Sequence, residues 1–332
     1  MQIEKILETV QGVIDGQVRY ELIDQQEQTD GSNEFLFFIK PELLLDDDAI
    51  QTRTILEMIA EKIQSFGLNI RSTRVLSADY LEEHSLIAQH YGVINKIASD
   101  AKGQLSEGAK KKFFEIFGEP IERANVLGGL EFLKAYPDFS ALAVDYLWQN
   151  SKFEKLAGGS YAQKLSLDGN ACYLVNGFHG RQLQHFTQPG RCIIVCSLTS
   201  DLNWADARGT FIGATCPADA KNGSIRKTLL NNASSYGLKA VTPSWNGVHL
   251  SAGPIEGMVE SIRYLSQFDE DQKLVLEDLT VGKRFVDALG SEKANELLAN
   301  PVVDHRGESI SVFDLTEEMD ANDALELIPK VL

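Results

Sequence analysis

Near the N-terminus, apolar residues are spaced as in a buried strand followed by an amphipathic helix. The run EFLFFIKP (34–41) is almost wholly apolar and ends in proline, which is typical of a buried strand. Ile55, Ile59 and Ile63 then recur at four-residue spacing, which places them on one face of a helix. Gly67 follows this face and is a suitable C-cap. The pattern predicts a strand and a helix joined by an acidic loop.

The same succession repeats directly afterwards. LNIRSTRVL (68–76) has the alternation of a second strand. SADYLEEHSLIAQHYG (77–92) begins with Ser77, a good N-cap residue, and predicts a second helix. The central part of the chain, from about 93 to 170, contains two or three amphipathic helical segments and no cluster of residues suited to chemistry. We therefore expect a helical insertion there.

Strand and helix patterns resume beyond this insertion. The predicted elements are a strand over RCIIVCSLT (191–199), a helix over NWADARGTFIG (203–213), a helix from Ile225, a short strand in WNGVHL (245–250) and a helix that begins at Pro254. This order favours an α+β sandwich, in which an antiparallel sheet carries helices on one face.

Composition and charge limit the class of protein. The chain has 332 residues, of which 43% are hydrophobic and 24% charged, so a globular protein of one elaborated domain or two smaller ones is expected. The net charge of −17 disfavours binding to nucleic acid or to anionic membranes. Much of this charge lies in residues 266–332, which contain 16 acidic and 6 basic residues.

The four cysteines, at positions 172, 192, 196 and 216, include no CxxC pair, and a zinc site would need more ligands nearby. Cys192 and Cys196 share one face of a predicted strand and are expected to be buried free thiols. The first residues have no apolar segment of the signal-peptide type. A cytoplasmic protein with reduced thiols is therefore the default expectation.

Candidate chemistry begins with the stretch from Arg208 to Arg226. Two guanidinium groups and the hydroxyl of Thr215 lie within one short, glycine-bearing segment. Arginine offers forked donors that match phosphate oxygens, so this combination is suited to a polyphosphate. Any one of these arginines taken alone is more often a surface residue beside a turn.

His249 is the candidate nucleophile. A single histidine between Val248 and Leu250 is usually a half-buried structural residue, but here Asn246 precedes it and Glu256 lies in the first turn of the next helix. A carboxylate that accepts from one imidazole nitrogen leaves the other nitrogen available to attack. Phosphoryl transfer needs mainly positioning and charge neutralisation, which such a histidine among cationic residues provides.

Taken together, these segments resemble the nucleoside diphosphate kinase family. FFIKPELL (37–44) is similar to the family's first strand with its Lys-Pro. ARGTFIGATCPADAKNGSIR (207–226) is similar to the segment G-R-x-x-x-G-x-T-x-P-x-x-x-x-x-G-[ST]-I-R, and NGVHLSAGPIE (246–256) to the signature N-x-x-H-x-S with a downstream Glu. The resemblance covers roughly residues 33–91 and 171–268.

The resemblance implies a ferredoxin-like antiparallel sandwich and a set of site residues. His249 would be phosphorylated and Glu256 would orient it. The nucleotide would be bound by Lys40, Arg208, Thr215 and Arg226 at its phosphates, by Tyr91 near the γ-phosphate and His249, by Asn246 at the ribose, and by Phe178 stacked on the base. For Phe178, packing in the core is an equally open interpretation. Mg²⁺ would be held through the nucleotide phosphates, so no dedicated metal ligands are expected.

The resemblance also implies a layout and partners. Residues 33–268 would form the kinase-like domain with a helical insertion at about 93–170, between an N-terminal extension (1–32) and an acidic C-terminal extension (269–332). The expected partners are nucleoside tri- and diphosphates and further copies of the chain in a homo-oligomer. The number of copies stays open, because the stretch between Arg226 and His249 is longer than the family's.

Three functions stay open at this point. The first is transfer of a γ-phosphate from a nucleoside triphosphate to a nucleoside diphosphate through His249. The second is a nucleotide-binding regulatory or assembly module with weak or no turnover, which is motivated by Leu250 and Ala252 where the family has Gly and Asp, and by Cys216 where it has Asn. The third is a phosphotransferase with a different acceptor.

Overall fold

The computed structural model of the protein describes residues 1–26, 31–167 and 169–332. The strands are β1 (Tyr20–Gln25), β2 (Asn33–Ile39), β3 (Asn69–Ser77), β4 (Val126–Gly128), β5 (Phe153–Ala157), β6 (Ser160–Leu167), β7 (Asn170–Val175), β8 (Cys192–Ser200), β9 (Val248–Leu250), β10 (Val302–His305) and β11 (Glu308–Ser311).

The helices follow the same chain order. They are α1 (Ile3–Ile14), α2 (Thr52–Ser65), α3 (Ala78–Glu83), α4 (Leu86–His90), α5 (Gly92–Ser99), α6 (Ala101–Gln104), α7 (Glu107–Phe117), α8 (Gly129–Ala135), α9 (Ala141–Gln149), α10 (His179–Thr187), α11 (Trp204–Asp206), α12 (Ile225–Asn231), α13 (Pro254–Leu265), α14 (Thr280–Leu289), α15 (Ser291–Glu296), α16 (Val312–Leu315) and α17 (Ala321–Leu327). A single π-helical turn, Ala207–Ile212, follows α11 directly.

The chain forms two compact units. The first consists of Met1–Tyr80 and Pro189–Leu332, and the second of Leu81–Gln188. The segments predicted as N- and C-terminal extensions both belong to the first unit. One reason is that β1, from the N-terminal segment, pairs with β3 and forms an edge of the main sheet.

The first unit is built on a five-stranded sheet in the order β1-β3-β8-β2-β9, with every neighbouring pair antiparallel. This confirms the mixed α/β class with an antiparallel sheet. β2 and β8 are buried along their whole length, as their continuous apolar runs predicted. β9 is a three-residue edge strand that pairs with β2.

Alternation along β2 divides its side chains between the two faces of the sheet. Phe35, Phe37 and Ile39 are fully buried in a core that α1, α2 and the π-helical turn complete. Each such side chain contributes about 1.5–3 kcal/mol to stability through burial. A second core in this unit joins apolar residues of α13 to those of α14–α17, among them Ile255 and Phe285. The acidic C-terminal region is thus a folded part of the first unit.

Two of the helices that the sequence predicts are shorter in the structure. The predicted helix over 77–92 is interrupted, because Ser85 adopts a left-handed conformation with a φ of 52° between α3 and α4. The predicted helix over 203–213 starts as α11 and continues as the π-helical turn. The α13 helix begins at Pro254 as predicted, with proline at its first position, where the missing N–H is unimportant.

The second unit corrects the expectation of a helical insertion. Its N-terminal half is helical, but β4, β7, β6 and β5 form a four-stranded sheet in that order. Gly159 and Gly169 have φ values of 67° and 80° in the turns that join these strands as hairpins. The predicted helical region therefore extends too far along the chain, into residues that form the paired strands β5 and β6. Within the described parts of both units, no helix has the length and hydropathy needed to cross a bilayer.

Candidate functional site

The edge strand β9 positions His249. In the antiparallel register His249 lies directly opposite Phe38 of β2, and the two rings stack with centroids 4.5 Å apart. Val248 and Leu250, the neighbours of His249, point to the opposite face and into the core. The side chain of His249 is 19% exposed. The sheet thus fixes the direction of the imidazole while one edge of the ring still faces solvent.

Glu260 of α13 holds the imidazole in place. The Nε2 atom of His249 lies 2.9 and 3.0 Å from the two carboxylate oxygens of Glu260, whose side chain is 1% exposed. A carboxylate accepts, so this contact puts the ring proton on Nε2 and the lone pair of the neutral imidazole on Nδ1. Nδ1 is therefore the ring nitrogen whose lone pair is available in the neutral imidazole.

The role predicted for Glu256 needs correction. Its Oε2 accepts a hydrogen bond from the backbone N–H of Ala252 at 3.2 Å, and the carboxylate that contacts His249 is that of Glu260. Burial, together with the negative charge of Glu260, raises the pKa of Glu256 to about 7. Glu256 and Glu260 are four residues apart and lie on one face of α13, so sequence spacing alone does not distinguish them. Sequence reasoning chose the first of them and missed Glu260.

Arg226 ties the loops of the site together. It lies in the first turn of α12, whose N-cap Ser224 accepts a hydrogen bond from the N–H of Lys227. The Arg226 guanidinium donates to Gly213 O at 2.8 Å and to Val248 O at 3.0 Å, and only 9% of the residue is exposed. A buried cation with these two carbonyl partners fixes β9 against the loop that bears Thr215.

Lys40 and Asn246 form a second buried polar contact. The Lys40 ammonium donates to Asn246 Oδ1 at 2.7 Å, and Asn246 Nδ2 donates to Thr215 O at 3.1 Å. Burial lowers the pKa of Lys40 to about 8; the charge of Arg226 acts in the same direction, and that of Glu42 opposes it. The structure thus brings these predicted residues into one network beneath the loop that precedes His249.

Arg208 lies on the π-helical turn. The family motif has three residues between its arginine and the next glycine, whereas four separate Arg208 from Gly213 here. A π-helical turn accommodates one extra residue within a helix, and such turns are frequent at functional sites. The Arg208 side chain contacts Glu317 and Glu318 of the C-terminal region and Ala252 O.

Some of these residues line a cavity of about 390 Å³. Its lining comprises Arg208, Gly209, Ile212, Gly213, Ala214, Thr215, Asp219, Lys221, Arg226, His249, Leu250, Ala252 and Glu318. Four of the predicted site residues, Arg208, Thr215, Arg226 and His249, are therefore brought together at one concave surface of the first unit. Lys221 and Glu318 were not predicted. Lys221 falls in the motif segment at a variable position, and Glu318 lies far away in sequence.

Tyr91 and Phe178 belong to the second unit. Tyr91 lies between α4 and α5 and contacts the ring of His179 edge-on, with centroids 6.3 Å apart. Phe178, at the start of α10, packs against Trp148 and Tyr161 with centroid distances of 5.7 and 6.4 Å. These contacts agree with the core-packing interpretation of Phe178. The roles of Tyr91 and Phe178 at the nucleotide stay predictions.

Comparisons with known proteins give the following. No protein-family model matches the chain, and no curated protein matches it. Among solved structures, a nucleoside diphosphate kinase from Encephalitozoon cuniculi is 12% identical with a TM-score of 0.34, covering 73% of this chain and 93% of its own.

Two further structures are similar to the same slight degree. An NDP kinase from Pyrobaculum aerophilum is 17% identical with a TM-score of 0.33, covering 70% of this chain and 94% of its own. A nucleoside diphosphate kinase family protein from Babesia bovis is 12% identical with a TM-score of 0.33, covering 76% and 98%. Structural similarity to this group of kinases is thus distant.

Proposed function

We propose that the protein transfers the γ-phosphate of a nucleoside triphosphate to a nucleoside diphosphate through a phosphohistidine at His249, on a ferredoxin-like scaffold of the nucleoside diphosphate kinase type. One observation carries the proposal. The imidazole of His249 is oriented through Nε2 by the buried Glu260, at a cavity that Arg208, Thr215 and Arg226 also line. An oriented neutral imidazole beside phosphate-binding side chains is the apparatus that this chemistry requires.

The first half-reaction forms a bond between Nδ1 of His249 and the γ-phosphorus. The bond from that phosphorus to the β,γ-bridging oxygen breaks, and the nucleoside diphosphate leaves with the electron pair. The ring gains positive charge as Nδ1 is phosphorylated, and the carboxylate of Glu260 stabilises that charge through the proton on Nε2.

The second half-reaction reverses these steps with another nucleotide. A terminal phosphate oxygen of the acceptor diphosphate attacks the phosphorus, and the P–N bond breaks, which returns the lone pair to Nδ1. The side chains of Arg208 and Arg226 supply positive charge near the phosphoryl oxygens in both directions. Mg²⁺ belongs to the proposal as the counterion of the nucleotide. The carboxylate of Asp219 in the cavity lining is a suitable acceptor for its hydration waters, since Mg²⁺ retains several of them.

The test is labelling followed by a chase. Incubation with γ-labelled ATP and Mg²⁺ should label the protein in an acid-labile and alkali-stable form, and His249→Ala should not be labelled. Labelled protein, freed of nucleotide, should then lose its label to added nucleoside diphosphates and regenerate labelled triphosphates. Absence of labelling in the wild type, or equal labelling of His249→Ala, would contradict the proposal.

A second candidate function is favoured by one specific contact. The Glu317 carboxylate lies 2.5 Å from Arg208, so a predicted phosphate ligand already has an anionic partner within the chain. This is compatible with a nucleotide-binding regulatory module of weak turnover. Nucleotide binding without labelling would support that candidate. Labelling without transfer to diphosphates would instead indicate a phosphotransferase with a different acceptor.

A further inference from the structure

The C-terminal region supplies two carboxylates to Arg208. Arg208 Nη1 lies 2.5 Å from Glu317 Oε1, and Arg208 Nε lies 3.6 Å from Glu318 Oε1. Arg208 was predicted from the sequence as a phosphate ligand, and it lines the same cavity as His249. Glu318 lines that cavity too. Glu318 therefore lies at the cavity beside Arg208, and Glu317 pairs with the same guanidinium.

The backbone of this segment is anchored independently of the two carboxylates. Glu318 N–H donates to Ala252 O at 2.8 Å, three residues after His249. Thr316 is fully buried. Its carbonyl oxygen lies so close to Gly253 that a Cβ on residue 253 would be 2.3 Å from that oxygen. Asp320 accepts from the backbone N–H of Trp204 at 2.7 Å. The segment is therefore held at the site by contacts that do not involve Arg208.

The two glutamate side chains are held much less firmly than the backbone. Their side chains are 50% and 49% exposed, whereas that of Arg208 is 25% exposed. Half-exposed ion pairs contribute little free energy, so a ligand can displace them at small cost. The backbone at Glu318 has a φ of 58°, and both glutamates of this consecutive pair contact the same guanidinium.

A carboxylate and a phosphate present the same chemistry to arginine. Each offers two oxygens in the geometry that the forked guanidinium donors match. Arg208 can pair fully with Glu317 or with a phosphate oxygen, and a bound polyphosphate would be repelled by the adjacent negative charges if they stayed in place.

We propose that Glu317 and Glu318 form an internal competitor for phosphate at Arg208, so that a polyphosphate must displace the Glu317 carboxylate in order to bind. The proposal rests on the proposed function, because it takes Arg208 as a phosphate ligand of the His249 site. It assigns a regulatory role to the segment that bears Glu317 and Glu318. The segment lowers the affinity of the site for a polyphosphate, and a change that moves the segment away from Arg208 raises that affinity.

The test measures the affinity of full-length protein for pyrophosphate by titration calorimetry, without nucleotide and without turnover. Glu317→Gln/Glu318→Gln keeps the size of both side chains and removes their charge. Glu292→Gln/Glu296→Gln, on the exposed surface of α15, gives the same change in net charge away from the cavity. Pyrophosphate should bind about fivefold more tightly to the first variant, and the control should match the wild type.

Arg208→Gln completes a double-mutant cycle. In this background, removal of the two glutamate charges should bring a clearly smaller gain, because only the relief of charge repulsion is left once the guanidinium is gone. The competition is overturned if the affinity for pyrophosphate rises equally with and without Arg208. It is also overturned if the control variant shows the same rise, or if no variant shows a rise.

The outcomes separate this proposal from the proposed function. Labelling of wild-type His249 together with unchanged pyrophosphate affinity in Glu317→Gln/Glu318→Gln overturns the competition and leaves the phosphotransfer standing. A gain in affinity that requires Arg208, in a protein that is never labelled, supports the competition and contradicts the phosphotransfer. If no variant binds pyrophosphate, the competition is overturned, and the labelling of His249 decides the phosphotransfer separately.

Discussion

At the scale of single residues, the site depends on which carboxylate faces His249. The structure selects Glu260, at 2.9 Å from Nε2, and leaves Glu256 bonded to Ala252 N–H. The sequence contains both glutamates on one face of α13. Which of them reaches the imidazole depends on how far α13 is shifted along β2, and that is set by packing between residues distant in sequence. The sequence therefore predicted a carboxylate partner for His249, but the residue that it indicated was Glu256 and not Glu260.

The two glutamates should differ in their effect on catalysis. In the proposed reaction, Glu260→Gln removes the charge that stabilises the phosphorylated ring. A lost charge-assisted hydrogen bond of about 1.5–3 kcal/mol corresponds to roughly 10–100-fold slower labelling of His249. Glu256→Gln should slow labelling far less. Rapid-quench measurement of label incorporation checks both. A larger effect from Glu256→Gln would contradict the assignment.

Glu256 should instead affect stability in a pH-dependent way. Its pKa is raised from 4.5 to about 7 in the folded protein, so its contribution to stability is fully present below pH 4.5 and is lost as the pH rises through 7. The loss at alkaline pH is at most about 3 kcal/mol. Glu256→Gln cannot ionise there, so urea unfolding should show its stability rising relative to the wild type from about pH 5 to about pH 8. A stability difference between variant and wild type that stays constant over this pH range would contradict the raised pKa of the buried Glu256 carboxyl.

At the scale of elements, the short strand β9 is held in position by a buried arginine. Its three residues pair with β2 along one edge only, and Arg226 donates to Val248 O from the other side. The sequence predicted β9, α12 and α13, because their apolar residues follow regular spacings. It did not predict the π-helical turn at Ala207–Ile212, since one extra residue can be accommodated as a bulge or a loop as readily as within a helix.

Arg226→Lys tests the arginine's role at the level of elements. Lysine keeps the charge but lacks the planar, forked donors with which arginine reaches Gly213 O and Val248 O at the same time. At least one buried carbonyl therefore loses this donor. We expect a loss of about 1–3 kcal/mol in the free energy of unfolding.

The matched control is Arg306→Lys, at an exposed position in the turn between β10 and β11, which should unfold like the wild type. Chemical denaturation of both variants checks the prediction. Equal stabilities would show that Arg226 does not hold β9 in place.

At the scale of the whole molecule, the C-terminal region is part of the first unit, although its composition suggested an appended acidic extension. Its apolar residues, such as Phe285, are buried in a core shared with α13. The excess of acidic residues nevertheless favoured the interpretation that this region is an extension outside the folded domain. Likewise, the insertion was predicted from about 93 to 170 as helical, while the second unit spans Leu81–Gln188 and contains a sheet. Contacts between parts distant in sequence decide both features, and neither spacing nor composition encodes them directly.

Asp320 should link the C-terminal region to the rest of the first unit. Its Oδ1 accepts from Trp204 N–H at 2.7 Å and from Asn33 Nδ2 at 3.1 Å. Asp320→Ala leaves both donors without this acceptor and should cost about 1–3 kcal/mol. Asp323→Ala, three residues further along at an exposed position, should cost little. Limited proteolysis should cut the C-terminal region sooner in the first variant than in the second; equal rates would argue against the link.

The central claim is that Nδ1 of His249 carries the phosphoryl group. The most direct measurement is the position of phosphate on the histidine ring after incubation with a nucleoside triphosphate and Mg²⁺, determined by NMR of protein labelled with ¹⁵N in histidine. The contact between Glu260 and Nε2 predicts phosphate on Nδ1 of His249. Phosphate on Nε2, on another residue, or on none would contradict the account.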